Sequence, residues 1–164
     1  MSNLNLIQSK IKSFKEVRDS VNDWRSKQRK IVFTNGCFDI IHRGHLDYLS
    51  KAADLGDVLI VGLNTDASVR RIKGNNRPLQ DELGRASLLA SLFFVDAVVM
   101  FDENTPYDLI KVVQPDLLVK GSDYAEEDIV GADIVRNNNG NVVTIDFLED
   151  YSTSSIIAKA KTIA

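Results

Sequence analysis

Apolar residues recur along this chain in two rhythms. Leu4, Ile7, Ile11, Phe14, Val17, Val21 and Trp24 follow at three- and four-residue steps, with lysine, aspartate and arginine between them. That spacing predicts one apolar stripe carried on one or two helices. The stripe must be covered, either by the body of the domain or by a second subunit. After the polar break Ser26-Lys27-Gln28-Arg29 the pattern changes to short continuous runs: Ile31-Val32-Phe33, Val58 to Leu63, Val95 to Phe101, Leu117-Leu118-Val119 and Val142 to Ile145. Such runs, short and rich in β-branched residues, predict five strands covered on both faces.

Helical spacing fills the intervals. Leu46 to Leu55 reads as a helix stopped at Gly56 as a C-cap, and Ala67 to Ile72 as a short helix with Thr65 or Asp66 placed to cap it. Further helices are predicted over about Asp81 to Phe94, over Tyr107 to Val113 closed by Gln114-Pro115, and from Glu126–Asp128 to the polar turn Asn137 to Gly140. A last one, Ile156 to Ile163, is opened by Ser152-Thr153-Ser154-Ser155. Strands alternate with helices and no strand contains proline, so the expected architecture is an α/β doubly wound parallel five-stranded Rossmann-like sheet with right-handed crossovers. Residues 1–29 form an N-terminal helical extension and 30–164 the domain proper. The pattern leaves the strand order open. Ligands of such sheets lie across the carboxyl ends of the strands, where four loops are expected: 35–45, 64–78, 120–124 and 151–155.

The first of these loops holds both histidines of the chain. Thr34-Asn35-Gly36-Cys37-Phe38-Asp39-Ile40-Ile41-His42-Arg43-Gly44-His45 runs from a strand into a helix. Histidines at i and i+3 on a first helical turn share a face, and a helix start offers free N–H groups and partial positive charge to a phosphate. Gly44 leaves room there for a ligand's oxygens. The second loop turns basic from Arg70 to Arg77, which reads equally as a solvated stretch or as part of the site; Arg85 beyond it faces either solvent or site. Neither G-x-x-x-x-G-K-[ST] nor G-x-G-x-x-G occurs, which removes the two commonest nucleotide-binding fingerprints.

Composition changes this picture mainly by exclusion. The 164 residues, 44% apolar and 26% charged, match one globular domain. A net charge of −3 and a pI near 5.4 argue against a general nucleic-acid binder. Cys37 is the only cysteine, so neither an intrachain disulfide nor a cysteine-rich metal site is possible, as suits a reducing cytoplasm. Met1 to Gln8 lacks a targeting pattern and no run of about eighteen apolar residues occurs, so neither membrane nor nucleic acid is expected as a partner.

The block Thr34 to His45 resembles the nucleotidyltransferase superfamily, whose H-x-G-H signature stands here as His42-Arg43-Gly44-His45. The likeness continues through Asn64-Thr65-Asp66-Ala67, Lys73-Gly74, Arg77-Pro78, Lys120 to Tyr124 and Ser152 to Ser155, covering nearly all of residues 30–160. Within the superfamily it most resembles adenylyltransferases of D-glycero-β-D-manno-heptose 1-phosphate. The related glycerol-3-phosphate and choline-phosphate cytidylyltransferases carry R-T-E-G where this chain has Glu149-Asp150-Tyr151. The resemblance implies transfer of AMP from ATP to a sugar 1-phosphate, with Mg²⁺ accompanying ATP. It also implies a stand-alone enzyme fed by a separate heptose kinase, and the N-terminal stripe points to a homodimer. The alternatives are a cytidylyltransferase for glycerol 3-phosphate or another small phosphate, a flavin adenylyltransferase, and a nucleotide-binding sensor without turnover.

The same resemblance assigns roles. His42, His45 and Lys73 are the expected catalytic residues. Asn35, Gly36, Cys37, Phe38, Gly44, Lys120, Gly121, Asp123, Ser152, Thr153 and Ser154 are expected to bind the nucleotide, and Asp39, Asn64, Asp66, Arg77 and Arg85 the second substrate. Asp39 and Asp123 are the candidates to orient the metal. Because a phosphate attacker is already ionised at neutral pH, the histidines are expected to act as hydrogen-bond donors rather than bases.

Overall fold

The computed structural model describes residues 2–163, the side chain of Glu126 apart. Five of its strands lie where the apolar runs predict them: β2 (Ile31–Gly36), β3 (Val58–Asn64), β4 (Ala97–Phe101), β5 (Leu117–Gly121) and β6 (Asn141–Ile145). A sixth, β1 (Ile11–Lys12), was not expected. It interrupts the N-terminal helical stripe and pairs in parallel with β4, Ile11 opposite Val98 and Lys12 opposite Val99. All pairings are parallel and the order is β1-β4-β3-β2-β5-β6. The chain therefore builds outward from β2 through β3 to β4, then crosses back to lay β5 on the other side of β2. The order reverses between β2 and β5, where an open α/β sheet leaves a crevice at its carboxyl edge.

Alternation along the strands divides the core in two. Ile31, Phe33, Ile60, Val99 and Leu118 point to one face, packed by Val17 and Val21 of α2 (Phe14–Ser26), Leu109, Ile110 and Val113 of α6 (Tyr107–Val113), and Val135 of α7 (Ala132–Asn137). Val32, Leu59, Val61, Leu63, Val98 and Val119 point to the other, covered by Leu49 and Ala52 of α3 (Arg43–Ala53) and by Ala86 and Leu89 of α5 (Glu82–Ser91). The N-terminal stripe is covered by the body of the domain. Because β1 divides it, Ile7 of α1 (Asn3–Lys10) and Ile11 pack on the second face, while Phe14, Val17, Val21 and Trp24 pack on the first. Leu4 stays outside, 60% exposed.

Local chemistry sets the helix ends. Ser13 and Glu16 form a reciprocal capping box on α2, Asp81 caps α5, and Thr65 rather than Asp66 caps α4 (Asp66–Lys73). Gly56 is not a C-cap. The helix ends at Ala53, and Gly56 is small because a Cβ there would lie 2.8 Å from the Lys30 carbonyl and 2.6 Å from a Val32 methyl. The acidic segment Glu126–Asp128 forms a 3₁₀ turn, and α7 starts beyond Gly131, whose φ of +86° an L side chain rarely adopts. No helix among the described residues is long and apolar enough to cross a membrane.

Candidate active site

β2 delivers Asn35 and Gly36 to the crevice, and the chain then turns through Phe38, a non-glycine residue at φ +44°, before α3 begins. His42 occupies the N-cap position of α3 but makes no capping hydrogen bond. Its ring lies on that of His45, centroids 3.8 Å apart and 21° from parallel, with Phe38 edge-on to His45 at 5.2 Å. The buried Nδ1 atoms of both histidines have no hydrogen-bond partner. Burial lowers the pKa of His42, and burial together with the neighbouring His42 lowers that of His45 to about 4, the Ile40 backbone opposing. Both rings are therefore neutral at physiological pH, and each carries one N–H.

Gly44 gives the His42 ring its place beside the helix start. A Cβ at Gly44 would stand 3.0 Å from two atoms of the His42 ring and 3.0 Å from Tyr151 Cβ. The direction a side chain would take from Gly44 is filled by the His42 ring and Tyr151. Tyr151, which sequence reasoning noted only as part of a departure from R-T-E-G, stacks toward His42 at 6.5 Å, and its hydroxyl accepts from Arg43 at 3.3 Å. Its one signal in the sequence is an aromatic residue beside the hydroxyl-rich helix start.

Around this centre the expected substrate residues form a bonded frame. Asp39 is 1% exposed, and its carboxylate accepts from Arg77 Nε at 2.6 Å, from the Leu79 N–H at 2.8 and 3.0 Å, and from the Gln80 N–H at 3.0 Å. Burial acts to raise its pKa, but the hydrogen bonds from Gln80, Arg77 and Leu79 outweigh it and hold the carboxyl below its ordinary value. Its oxygens are satisfied by protein donors, which assigns Asp39 to holding the basic loop rather than to a metal.

Arg85 faces neither solvent nor ligand. Its side chain is fully buried; Nε donates to the Gln80 carbonyl (3.1 Å), one terminal nitrogen to the Cys37 and Asn64 carbonyls (2.7 and 2.8 Å), and the other to Asp66 Oδ1 (2.7 Å). One guanidinium thus ties the ends of β2 and β3 to the loop before α5. Expected to bind the second substrate, Arg85 instead gives these four hydrogen bonds to the protein itself. Asp66 is its ion-pair partner, and Asn64 is 4% exposed and donates to Ser68 Oγ at 2.9 Å. These three residues shape the site from beneath.

What faces outward is cationic. Lys73 is exposed at the end of α4, and its charge, with those of Arg85 and Arg77, pulls the Cys37 thiol down against the larger effect of burial, which pushes it up. The thiol is no activated nucleophile. Lys120 Nζ donates to Asn35 Oδ1 at 2.6 Å across the β2–β5 boundary, and burial lowers its pKa to about 8. Gly121 is buried against Phe147, whose ring atoms would lie 2.2 Å from an added Cβ, while Asp123 stands exposed beyond it.

At the far side, Ser152 Oγ accepts from the Ser155 N–H at 3.1 Å and so caps α8 (Thr153–Ile163), and Thr153 Oγ1 reaches the Ile40 carbonyl at 3.5 Å. A cleft of about 560 Å³ separates α8 from the basic loop, with Arg77, Leu79, Ser154, Ile157 and Lys161 in its walls. Among the described residues no group of three or more His, Cys, Asp or Glu side chains could hold a metal ion. A metal arriving with a triphosphate keeps its phosphate and water ligands, so it needs few from the chain.

A parallel sheet whose crevice offers neutral imidazole donors, cations and helix starts, with no nucleophile activated among them, defines a protein that positions and transfers phosphorylated groups. Comparison with known proteins makes that class specific. The model of the cytidylyltransferase-like family matches residues 33–159, and the chain belongs to that family; it is a nucleotidyltransferase. It is 53% identical to the bifunctional protein HldE of a Nitratiruptor species over 92% of this chain, and 55% identical to that of Campylobacter jejuni subsp. doylei over 94%. It spans about a third of the length of these relatives, 32% in each case. Among solved structures, the lipopolysaccharide core biosynthesis protein from Thermoplasma volcanium GSS1 superposes with a TM-score of 0.61 at 28% identity, over 76% of this chain and 99% of that one. Pantoate-beta-alanine ligase from Francisella tularensis, complexed with beta-gamma ATP and beta-alanine, shares the fold alone, with a TM-score of 0.60 at 17% identity over 92% and 76%.

Proposed function

We propose that this nucleotidyltransferase moves AMP from ATP to D-glycero-β-D-manno-heptose 1-phosphate, giving ADP-heptose and pyrophosphate. The observation that carries the chemistry is the stacked, neutral pair His42 and His45 at the start of α3. The sugar preference is supported by the HldE relatives and by the lipopolysaccharide core biosynthesis protein, each similar in sequence as well as in kind.

In this reaction an oxygen of the sugar phosphate bonds to the α-phosphorus of ATP, and the bond from that phosphorus to the bridging oxygen breaks. The attacking phosphate is already ionised, so no proton has to be removed, and the departing pyrophosphate carries the charge away. Neutral imidazoles suit such a transfer, because they donate N–H to phosphate oxygens and cannot be titrated off near pH 7. His42 and His45 act as those donors, with the Gly36 to Phe38 backbone beside them. Lys73 and Arg77 balance the charge of the leaving pyrophosphate, and Ser152, Thr153 and Ser154 line its path at the start of α8. Bound with the triphosphate, Mg²⁺ supplies charge neutralisation; Asp123, exposed at the end of β5, is the carboxylate left to meet it.

Pyrophosphate release is the test, with ATP and CTP each paired with heptose 1-phosphate, glycerol 3-phosphate and FMN. Release with ATP and heptose 1-phosphate is expected. Release only with CTP and glycerol 3-phosphate would make the chain a cytidylyltransferase, release only with ATP and FMN a flavin adenylyltransferase, and nucleotide binding without release from any pair a sensor.

A further inference from the structure

The two histidines of the site are held differently. His45 has Phe38 edge-on against its ring at 5.2 Å and the Ile40 backbone beside it. His42 has neither. It stands at the N-cap position without a capping bond, and its buried Nδ1 has no hydrogen-bond partner. An imidazole that works through one nitrogen is ordinarily oriented by a hydrogen bond at the other. Without that bond the ring is free to turn about its broad outer torsion unless packing stops it. The rings that meet His42 are His45, with centroids 3.8 Å apart, and Tyr151, 6.5 Å away and 24° from parallel.

Tyr151 is itself anchored at both ends. Its Cβ lies 3.0 Å from where a Gly44 Cβ would stand, and two atoms of the His42 ring lie at the same distance from that point. Only a glycine lets the tyrosine and the imidazole close on one spot of α3. At the other end the Tyr151 hydroxyl accepts from Arg43 at 3.3 Å, with the guanidinium carbon 5.7 Å from the ring centroid. Asp150, at φ +68°, turns the chain just before the tyrosine, and just after it Thr153 Oγ1 reaches the Ile40 carbonyl at 3.5 Å. The segment between β6 and α8 is thus tied to the histidine loop on either side of Tyr151. The residue is 40% exposed, so little of the core depends on it.

We propose that Tyr151 is a positioning residue for the transfer reaction: its ring, pinned between Gly44 and Arg43, holds the His42 imidazole in the orientation in which it donates to phosphate. The role rests on the transferase reading above and adds to it a residue that acts only through His42. Packing does here what a hydrogen bond at the second nitrogen does for most working imidazoles, and it links the start of α8 to the start of α3.

The test compares Tyr151→Phe and Tyr151→Ala in the full chain by turnover and by NMR titration of the imidazoles. The chain has two histidines, so the spectrum of His45→Gln assigns the His42 signal. Burial lowers the pKa of His42 in the native protein, and the titratable groups in ring contact with it are His45 and Tyr151. Tyr151→Ala opens the ring to water and releases it: the His42 titration should move up toward 6.5, and kcat should fall by about ten- to a hundredfold, the scale of a misplaced reacting group, with little change in KM. Tyr151→Phe keeps the ring and loses only the Arg43 contact, so both readouts should stay near native. If Tyr151→Ala does not fold, Tyr151→Val, which keeps the close contact beside Gly44 without reaching over the imidazole, carries the same test. A native His42 titration in the alanine variant overturns the proposal whatever happens to turnover, and so does a phenylalanine variant as slow as alanine, which would give the work to the hydroxyl. The two readings fail separately: a native chain that turns over no substrate pair removes the transferase reading, while the titration still decides whether Tyr151 holds His42.

Discussion

Replacing Arg85 by Met should destabilise the domain strongly. The guanidinium is completely buried and donates four hydrogen bonds, to three backbone carbonyls and one carboxylate. Its removal leaves Asp66 without its counter-charge and the Cys37, Asn64 and Gln80 carbonyls without this donor. Breaking a buried pair from one side costs about 3–5 kcal/mol. Asp66 remains 24% exposed, so water relieves part of its share, while the carbonyls add about 1 kcal/mol or more each. A net loss of about 4 kcal/mol is expected, against a total stability of about 5–15 kcal/mol for a domain. For a chain of this length that lowers Tm by roughly 8–16 °C. Urea unfolding followed by circular dichroism measures the loss. The double variant with Asp66→Leu separates the contributions: if the carbonyls matter as argued, removing the orphaned carboxylate restores less than half of the stability. A loss below about 1 kcal/mol for Arg85→Met, or full recovery in the double variant, would refute the account of Arg85 as the tie between three loops.

The other expectations are narrower. His42→Ala and His45→Ala should each lower kcat by about a hundred- to a thousandfold with the fold retained; near-normal turnover in either removes the donor role. Gly44→Ala presses a methyl into the His42 ring and Tyr151, so kcat should fall while the urea midpoint moves little, and unchanged kinetics would mean that the ring position is immaterial. Cys37→Ser should keep most activity, and the half-buried thiol of the native chain, its pKa raised by burial, should resist alkylation at about pH 7.5, rapid labelling being the contrary result. Stability should also depend on pH through His45. The unfolded chain takes up a proton near pH 6.5 and the folded one only near pH 4. The full contribution is therefore present above pH 6.5 and is lost as pH falls toward 4, by at most about 3 kcal/mol. His45→Phe should flatten that slope, and an equal slope in the variant would place its origin elsewhere.

The strands and their parallel arrangement were readable because continuous apolar runs such as Val58 to Leu63 have one stable destination, a sheet covered on both sides. The loop 35–45 was readable for a similar reason: a strand, a glycine and two histidines before a helical pattern leave few alternatives. β1 was hidden because Ile11 keeps helical step with Ile7 and Phe14, so two residues of strand change nothing in the periodicity. The direction of Arg85 was hidden too, since a charged residue on a helix ordinarily faces water, and only the convergence of three carbonyls and Asp66 reverses that preference. Asp39 and Gly44 sit inside a legible motif, yet what they touch, the Leu79 and Gln80 amides in one case and a folded-back imidazole in the other, depends on long-range closure that no local pattern encodes.

The two residues Ile11–Lys12 have a further consequence for how the molecule behaves as a solute. They occupy part of the outer side of β4, whose sequence Ala97-Val98-Val99-Met100-Phe101 contains no charge, no proline and no glycine. Exposed backbone on so apolar a strand is a template for pairing with another chain. With Lys12 at the rim and α1 and α2 closing over the two faces, the short strand works as a guard against edge-to-edge aggregation. Trimming the chain to Arg29 would bare that edge, and the association seen afterwards would report a sticky strand rather than a native subunit contact.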